Sequence, residues 1–295
     1  MAVNSKIEWC HHTFNPWVGC TRLSPACDHC YAEVWSRRTG QAHLWTGERR
    51  RTSSSNWQQP LKWNRAAAAV GERHRVFCAS LADFFDNQVP GEWRDDAWRL
   101  IARTPHLDWM LLTKRPQNIA KMRPVMDSSA PGYQPWNERW PWQNVWLGTT
   151  IEDRARLRNL DALRAVPARI RFISCEPLLE DLGEVDLTGI HLVIVGGESG
   201  PGARPMHPDW ARSLRDQCAA AGTAFHFKQW GAWAPKAIGP DWMILDREGG
   251  LDIPDDRCAD EEAGEIAVTC VGKKAAGRLL DGRTHDEMPE VARGS

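Results

Sequence analysis

Six short apolar runs, each closing on polar residues, constrain the fold more than any other feature of this sequence. They occupy residues 75–80 (RVFCAS), 109–114 (WMLLTK), 145–150 (VWLGTT), 170–175 (IRFISC), 191–196 (HLVIVG) and 224–228 (AFHFK). Runs of this length, rich in Val, Ile and Phe, are those of buried parallel strands. Segments with helical periodicity lie between them, such as 91–103 (GEWRDDAWRLIAR) and 153–164 (DRARLRNLDALR). Strand and helix in alternation give an α/β fold with a parallel sheet. An open doubly wound sheet and a barrel both satisfy that alternation.

The position of the polar residues favours the barrel. Asp83 follows the first run, Lys114 and Arg115 the second, Thr149, Thr150 and Glu152 the third, and Glu176 the fourth. Glu198 and Ser199 follow the fifth, and Lys228, Gln229 and Trp230 close the sixth. In a (β/α) barrel these carboxyl ends share the face where catalytic groups sit. The expectation is a full or partial TIM-type barrel in a single domain over residues 1–295. An insertion rich in Pro, Ser and Trp near 127–144 would shape that face, and 241–295 forms a C-terminal extension.

Ahead of these runs stands a cysteine triplet, Cys20, Cys27 and Cys30, spaced C-x6-C-x2-C directly after the extended stretch 13–18 (TFNPWV). Three thiolates are one too few to close a tetrahedral zinc site, but they hold three irons of a [4Fe-4S] cluster and leave the fourth open. Spacing alone also allows a Cys3His zinc site completed by His29, His11 or His12. A helix is expected after Cys30, where YAEVWSRR runs without Gly or Pro. The remaining cysteines lack metal spacing and are read as packing.

Strand alternation and charge single out individual residues. Cys175 and Glu176 point to opposite sides at a strand end, so Glu176 is taken as facing the interior and Cys175 as packing. Glu176 and Lys228 are the candidate catalytic pair. Asp83, Lys114, Glu198, Ser199 and Trp230 are the candidate cofactor-binding groups, with Lys114 or Lys228 suited to a carboxylate or phosphate. The 196–200 segment (GGESG) would allow a ligand close to the backbone.

Seventeen tryptophans against two tyrosines is an unusual ratio. Indole faces stack on nucleobases, and they equally fill a core. A net charge of −1 gives no global attraction to nucleic acid, although residues 47–56 hold the basic run Arg49, Arg50 and Arg51, read as a solvated loop. No segment approaches a membrane span, and the polar N-terminus is unlike a signal peptide, so a cytoplasmic protein without membrane contact is expected.

A cysteine loop after the first strand of a partial barrel, ending Cys-x-x-Cys-Tyr-Ala, resembles the radical S-adenosylmethionine enzymes. The best-known pattern there is C-x3-C-x2-C with an aromatic residue before the third cysteine; here the first gap is six residues and His29 takes the aromatic position. Over nearly its whole length the chain is also similar to an uncharacterised phage and prophage family known by its three-cysteine motif. The blocks behind this are 9–17, 112–116, 174–178, 196–200, 227–231 and 272–282. The resemblance implies a [4Fe-4S] cluster on Cys20, Cys27 and Cys30 and S-adenosylmethionine as cofactor. It further implies a 5′-deoxyadenosyl radical and a reducing partner such as flavodoxin or ferredoxin. Tryptophan content and the phage association point to a nucleotide or nucleic acid as substrate. The alternatives are a metal-stabilised, non-catalytic nucleic-acid-binding protein, with zinc or a cluster, and a redox-sensing cluster protein.

Overall fold

The computed structural model describes residues 5, 7–124, 140–235, 239, 241–254 and 258–290. Its strands in chain order are β1 (His12–Thr13), β2 (Trp17–Val18), β3 (Arg50–Arg51), β4 (His74–Cys78), β5 (Leu107–Thr113), β6 (Val145–Thr150) and β7 (Ile170–Cys175). They continue as β8 (Leu192–Gly196), β9 (Ala224–Gln229), β10 (Trp233–Pro235), β11 (Met243–Leu245), β12 (Leu251–Asp252) and β13 (Ile266–Cys270). One seven-stranded sheet has the order β1-β4-β5-β6-β7-β8-β9. It is a parallel half-barrel, so the partial form of the expected barrel is the one the chain adopts. Each of the six expected runs is a strand of this sheet, and β1 adds a seventh.

The chain divides into two compact units. One holds Met1–Leu23, Ala32–Thr149 and Asn159–Arg171; the other holds Ser24–Tyr31, Thr150–Arg158 and Phe172–Ser295.

In the first unit the register runs from His12 to Val76, from Val76 to Trp109 and from Trp109 to Val145. Most residues of these strands are buried, and the helices 59–70 and 91–102 supply apolar faces, with Trp63 and Ala67 buried on one and Ala97, Trp98, Leu100 and Ile101 on the other. Gly71 ends the first of these helices at φ +68°, a left-handed turn open to glycine at no steric cost. Most tryptophans here are core: Trp9, Trp17, Trp109 and Trp146 are among the largest fully buried side chains. Phe14 meets Trp109 edge-to-face at 5.6 Å, and Phe84 meets Trp98 at 5.0 Å. The expected insertion at 127–144 lies outside the described residues up to 139; beyond it, Trp142 packs edge-to-face on Trp98 at 5.6 Å.

The basic run 49–51 is part of the framework. Arg49 is buried against Asp86, and Arg51 lies over the Trp57 ring at 4.3 Å while pairing with Asp96 at 2.7 Å. The solvated loop expected there is instead β3, paired antiparallel with β2.

At the start of β1 and β4 three histidines cluster. His11 lies on His74 at 4.9 Å, His12 on Trp63 at 4.4 Å, and His12 Nε2 meets His74 Nδ1 at 3.1 Å. Burial first, then the charges of Arg75 and His74 for His11, and of His74 and His11 for His12, lower both imidazoles to about 4 from the ordinary 6.5. Glu72 and Asp108 oppose the shift at His11. The unfolded chain takes up protons near 6.5 and the folded chain only near 4, so stability falls as pH drops through that window. The denaturation midpoint is therefore expected to fall from pH 7 to pH 4.5 more steeply in the wild type than in His12→Asn. Equal slopes would remove His12 from the account.

In the second unit β7, β8 and β9 continue the parallel ladder, with Phe172 beside Leu192 and Leu192 beside Ala224. Helix 208–221 begins with Pro208 and with His207 Nδ1 accepting from Asp209 N–H, and it ends at Gly222, φ +67°. The C-terminal residues form a second, antiparallel sheet of order β10-β13-β11-β12 over a small core of Leu245, Ile266 and Val268. Among the described residues no helix is long and apolar enough to cross a membrane.

Candidate functional site

The loop after β1 is set by glycine. Gly19 has φ +118°, and a Cβ there would lie 2.6 Å from Leu44 O and 2.8 Å from Glu48 O. Its N–H donates to Leu81 O, and Cys20 N–H donates to Leu44 O, so the backbone carrying the first cysteine is fixed on both sides. The Cys20 sulfur accepts from Arg115 Nη1 at 3.8 Å. Burial first, then the charge of Asp83, pushes the thiol up to about 11 against the opposing pull of Arg115.

Beneath Cys20 lies a buried quartet of Asp83, Asp86, Arg49 and Arg115. Arg115 Nη1 donates to Asp83 Oδ2 at 3.0 Å, and Arg49 Nε donates to Asp86 Oδ2 at 2.7 Å. Asp83 accepts four hydrogen bonds: Oδ1 from Phe85 N–H and the Thr113 hydroxyl, and Oδ2 from Lys114 N–H and Arg115. Its acceptor positions are therefore filled by its own chain. The Lys114 ammonium, partly exposed beside it, has no hydrogen bond or ion pair among the described residues.

Cys27 and Cys30 belong to the second unit. Pro25–Cys27 is a single 3-10 turn closed by Cys27 N–H to Ser24 O and Asp28 N–H to Pro25 O, and Cys27 is buried. His29 Nδ1 meets Glu198 Oε2 at 3.0 Å. Arg204 grips the same carboxylate through its backbone N–H and Nε to Oε2, both at 2.9 Å, and Nη2 to Oε1 at 2.6 Å. Nη2 also donates to Pro25 O at 2.9 Å. Burial alone would raise the Glu198 carboxyl, but the hydrogen bonds from Arg204 and His29 outweigh it and hold it below its usual range. Glu198 thus clamps the second half of the cysteine loop and has its oxygens filled.

The 196–200 segment sits where two backbones cross. A Cβ on Gly197 would fall 1.9 Å from Trp230 O, and one on Gly231 would fall 2.1 Å from Glu198 O, so both positions are closed to any side chain. Ser199 Oγ accepts from Gln229 Nε2 at 3.0 Å. Trp230 is buried, donates Nε1–H to Leu279 O at 2.9 Å and meets Phe227 edge-to-face at 4.9 Å, so its indole is held by its own chain. Glu176 and Lys228 form an ion pair, partly exposed at the ends of β7 and β9. Cys175 beside them is fully buried, and burial pushes its thiol up.

Four residues were given no site role in the sequence: Arg49, Asp86, Arg115 and Arg204. The local signals were the placement of Arg115 after Lys114 and of Arg204 six residues after Glu198, whereas the Arg49–Asp86 and Arg115–Asp83 pairs span 37 and 32 positions. Glu152 is a fifth. It is 1% exposed, and its Oε1 has no hydrogen-bond partner among the described residues.

As a donor set, the loop offers sulfur alone at three positions, which suits iron–sulfur or zinc. Among the described residues no three His, Cys, Asp or Glu side chains are gathered closely enough to hold a metal ion.

A parallel α/β half-barrel with a three-cysteine loop after its first strand is the class that fold and sequence define. The chain belongs to DUF5131, a family of proteins of unknown function, whose family model matches residues 4–289. No curated protein matches it by sequence. Two solved structures are similar in part. One is a spore photoproduct lyase variant with bound AdoMet and dinucleoside spore photoproduct, at 12% identity and TM-score 0.40 over 65% of this chain and 57% of that one. The other is a spore photoproduct lyase variant with the dinucleoside spore photoproduct, at 13% and 0.41 over 72% and 62%. The chain thus spans about three fifths of the length of these proteins.

Proposed function

We propose that this chain is an iron–sulfur enzyme of the radical S-adenosylmethionine type, acting on a nucleotide or nucleic acid. The observation that carries the reading is the sulfur-only triplet Cys20, Cys27 and Cys30 in the loop that follows the first strand of a parallel half-barrel. When bound, a [4Fe-4S] cluster with S-adenosylmethionine supplies reductive cleavage of the sulfonium bond and a 5′-deoxyadenosyl radical for hydrogen abstraction.

The chain's own residues have separable tasks. Cys20, Cys27 and Cys30 would hold the cluster. Glu198 and Arg204 fix the turn before Cys30, and Asp83 fixes the strand end that carries Lys114. Lys114 offers a cation to a carboxylate or phosphate. The Glu176–Lys228 pair orients its two groups at the strand ends, and separation of that pair on substrate binding would release an acceptor and a donor together. An external one-electron donor of the flavodoxin or ferredoxin kind supplies the electron.

A second reading is favoured by one observation. A carboxylate on one ring nitrogen is how metal-bound histidines are usually oriented, and Glu198 stands so to His29 Nδ1. His29 would then complete a Cys3His zinc site in a non-catalytic binding protein.

The two readings separate on anaerobic reconstitution with iron and sulfide, followed by EPR with and without S-adenosylmethionine. About four irons per chain, a spectrum that changes with the sulfonium compound, and release of 5′-deoxyadenosine are the expected results. One tightly bound zinc and no iron uptake would overturn the radical reading.

A further inference from the structure

The cluster reading leaves one charged group unexplained by ligation: the guanidinium aimed at the Cys20 sulfur. We propose that Arg115 is a positioning residue that sets the reduction potential of the cluster through Cys20, an inference that rests on the iron–sulfur reading above.

Arg115 follows β5 and is buried. Its Nη1 donates to Asp83 Oδ2 at 3.0 Å and to Cys20 Sγ at 3.8 Å, and its Nη2 donates to Thr21 O at 3.3 Å. The guanidinium therefore holds both the sulfur and the backbone of the next residue. Asp83 cannot swing toward another partner, because Phe85 N–H, Thr113 and Lys114 N–H occupy it as well. Nor does Asp86 compete for Arg115: its closest approach to that guanidinium is 3.9 Å, against 2.6 Å to Arg49. The two aspartates and two arginines balance in charge, so the quartet is neutral and its one N–H toward sulfur is fixed in place.

A cationic N–H on a ligand sulfur withdraws charge from the thiolate. One electron from an external donor of the flavodoxin or ferredoxin kind would add one negative charge to a cluster held by Cys20, Cys27 and Cys30. The N–H favours that state, so the potential is higher than it would be without Arg115. Arg49 supplies the control. It reaches the same loop at the Thr21 hydroxyl and at Leu44 O without touching sulfur.

The test is an EPR-monitored redox titration of the reconstituted full chain as wild type, Arg115→Gln, Arg115→Lys and Arg49→Lys, with iron content measured for each. Arg115→Gln is expected to lower the reduced-to-oxidised ratio at a fixed poise about tenfold, which for a one-electron couple is a shift of about 59 mV to lower potential. Arg115→Lys, which keeps the charge without the fork, should lower the ratio about threefold, and Arg49→Lys should leave it in place. Normal iron with an unmoved midpoint in Arg115→Gln overturns the inference alone, as does an equal shift in Arg49→Lys. If Arg115→Gln fails to fold, an unmoved midpoint in Arg115→Lys overturns it. Absence of iron in the wild type overturns this inference and the proposed function together.

Discussion

Replacing Cys20, Cys27 or Cys30 with alanine is expected to take iron from about four per chain to less than about 0.5 after anaerobic reconstitution. The effect is large because a three-thiolate set has no redundancy. With one sulfur gone, a cluster is left with two protein ligands, and no carboxylate or imidazole triad stands ready to replace the third among the described residues. The comparison that gives the measurement meaning is Cys175→Ala. That sulfur is fully buried with its thiol pushed up by burial, so its loss should leave iron content intact while costing some stability. Retention of iron in all three loop variants would remove the cluster from the account; loss in Cys175→Ala as well would make iron content a mere index of folding.

Asp86→Ala should destabilise the fold by about 3–5 kcal/mol, the range for breaking a buried ion pair by removing one partner. The magnitude follows from what remains. Arg49 and Asp86 are only 1% and 2% exposed at their side chains. Without the carboxylate, Arg49 keeps its bonds to Leu44 O, Glu48 O and Thr21 but loses the only counter-charge it has at close range among the described residues. Gln88 N–H loses an acceptor as well. The equilibrium denaturation midpoint measures this directly. A loss below about 1 kcal/mol would mean that water reaches Arg49, as it does at exposed pairs. An Arg49→Met, Asp86→Leu double variant should be far less costly than Asp86→Ala, because no charge is then left buried.

The main sheet was legible because burial on both faces writes continuous apolar runs into the sequence. β6 and β7 coincide with the expected runs, β8 and β9 differ by one residue at one end, and β4 and β5 by one or two residues at both ends. Helix 91–102 was legible from its helical periodicity, which buries Ala97, Trp98, Leu100 and Ile101 on one face. The segment 153–164 was read as one helix but is a 3-10 turn at 154–156 followed by a helix at 159–164. Asp153 explains part of this, since its Oδ1 caps Arg156 N–H and closes a separate short turn. The antiparallel sheet was missed because its strands span two to five residues, too short for a period to show. At the site, residue type was informative and partnership was not. Glu198 was chosen from its chemistry, yet its carboxylate is filled by Arg204 and His29, the latter 169 positions away. The Arg49–Asp86 pair spans 37 positions, and no local pattern records it.

A half-barrel differs from a closed barrel in having two outer strands whose backbone groups face away from the sheet. On the β9 side the C-terminal segment occupies them. Phe227 N–H donates to His285 O, Phe225 N–H to Glu287 Oε2, and Trp230 N–H to Gly277 O, with a bridge between His226 and Asp286. On the opposite side β1 is only two residues long. An unpaired row of amides on an apolar strand is a template for another chain, and natural sheets shorten or cover such rows. Residues 277–287 therefore do for this open sheet what closure does for a barrel, and a chain cut before Gly277 would present β9 as a site for self-assembly into aggregates.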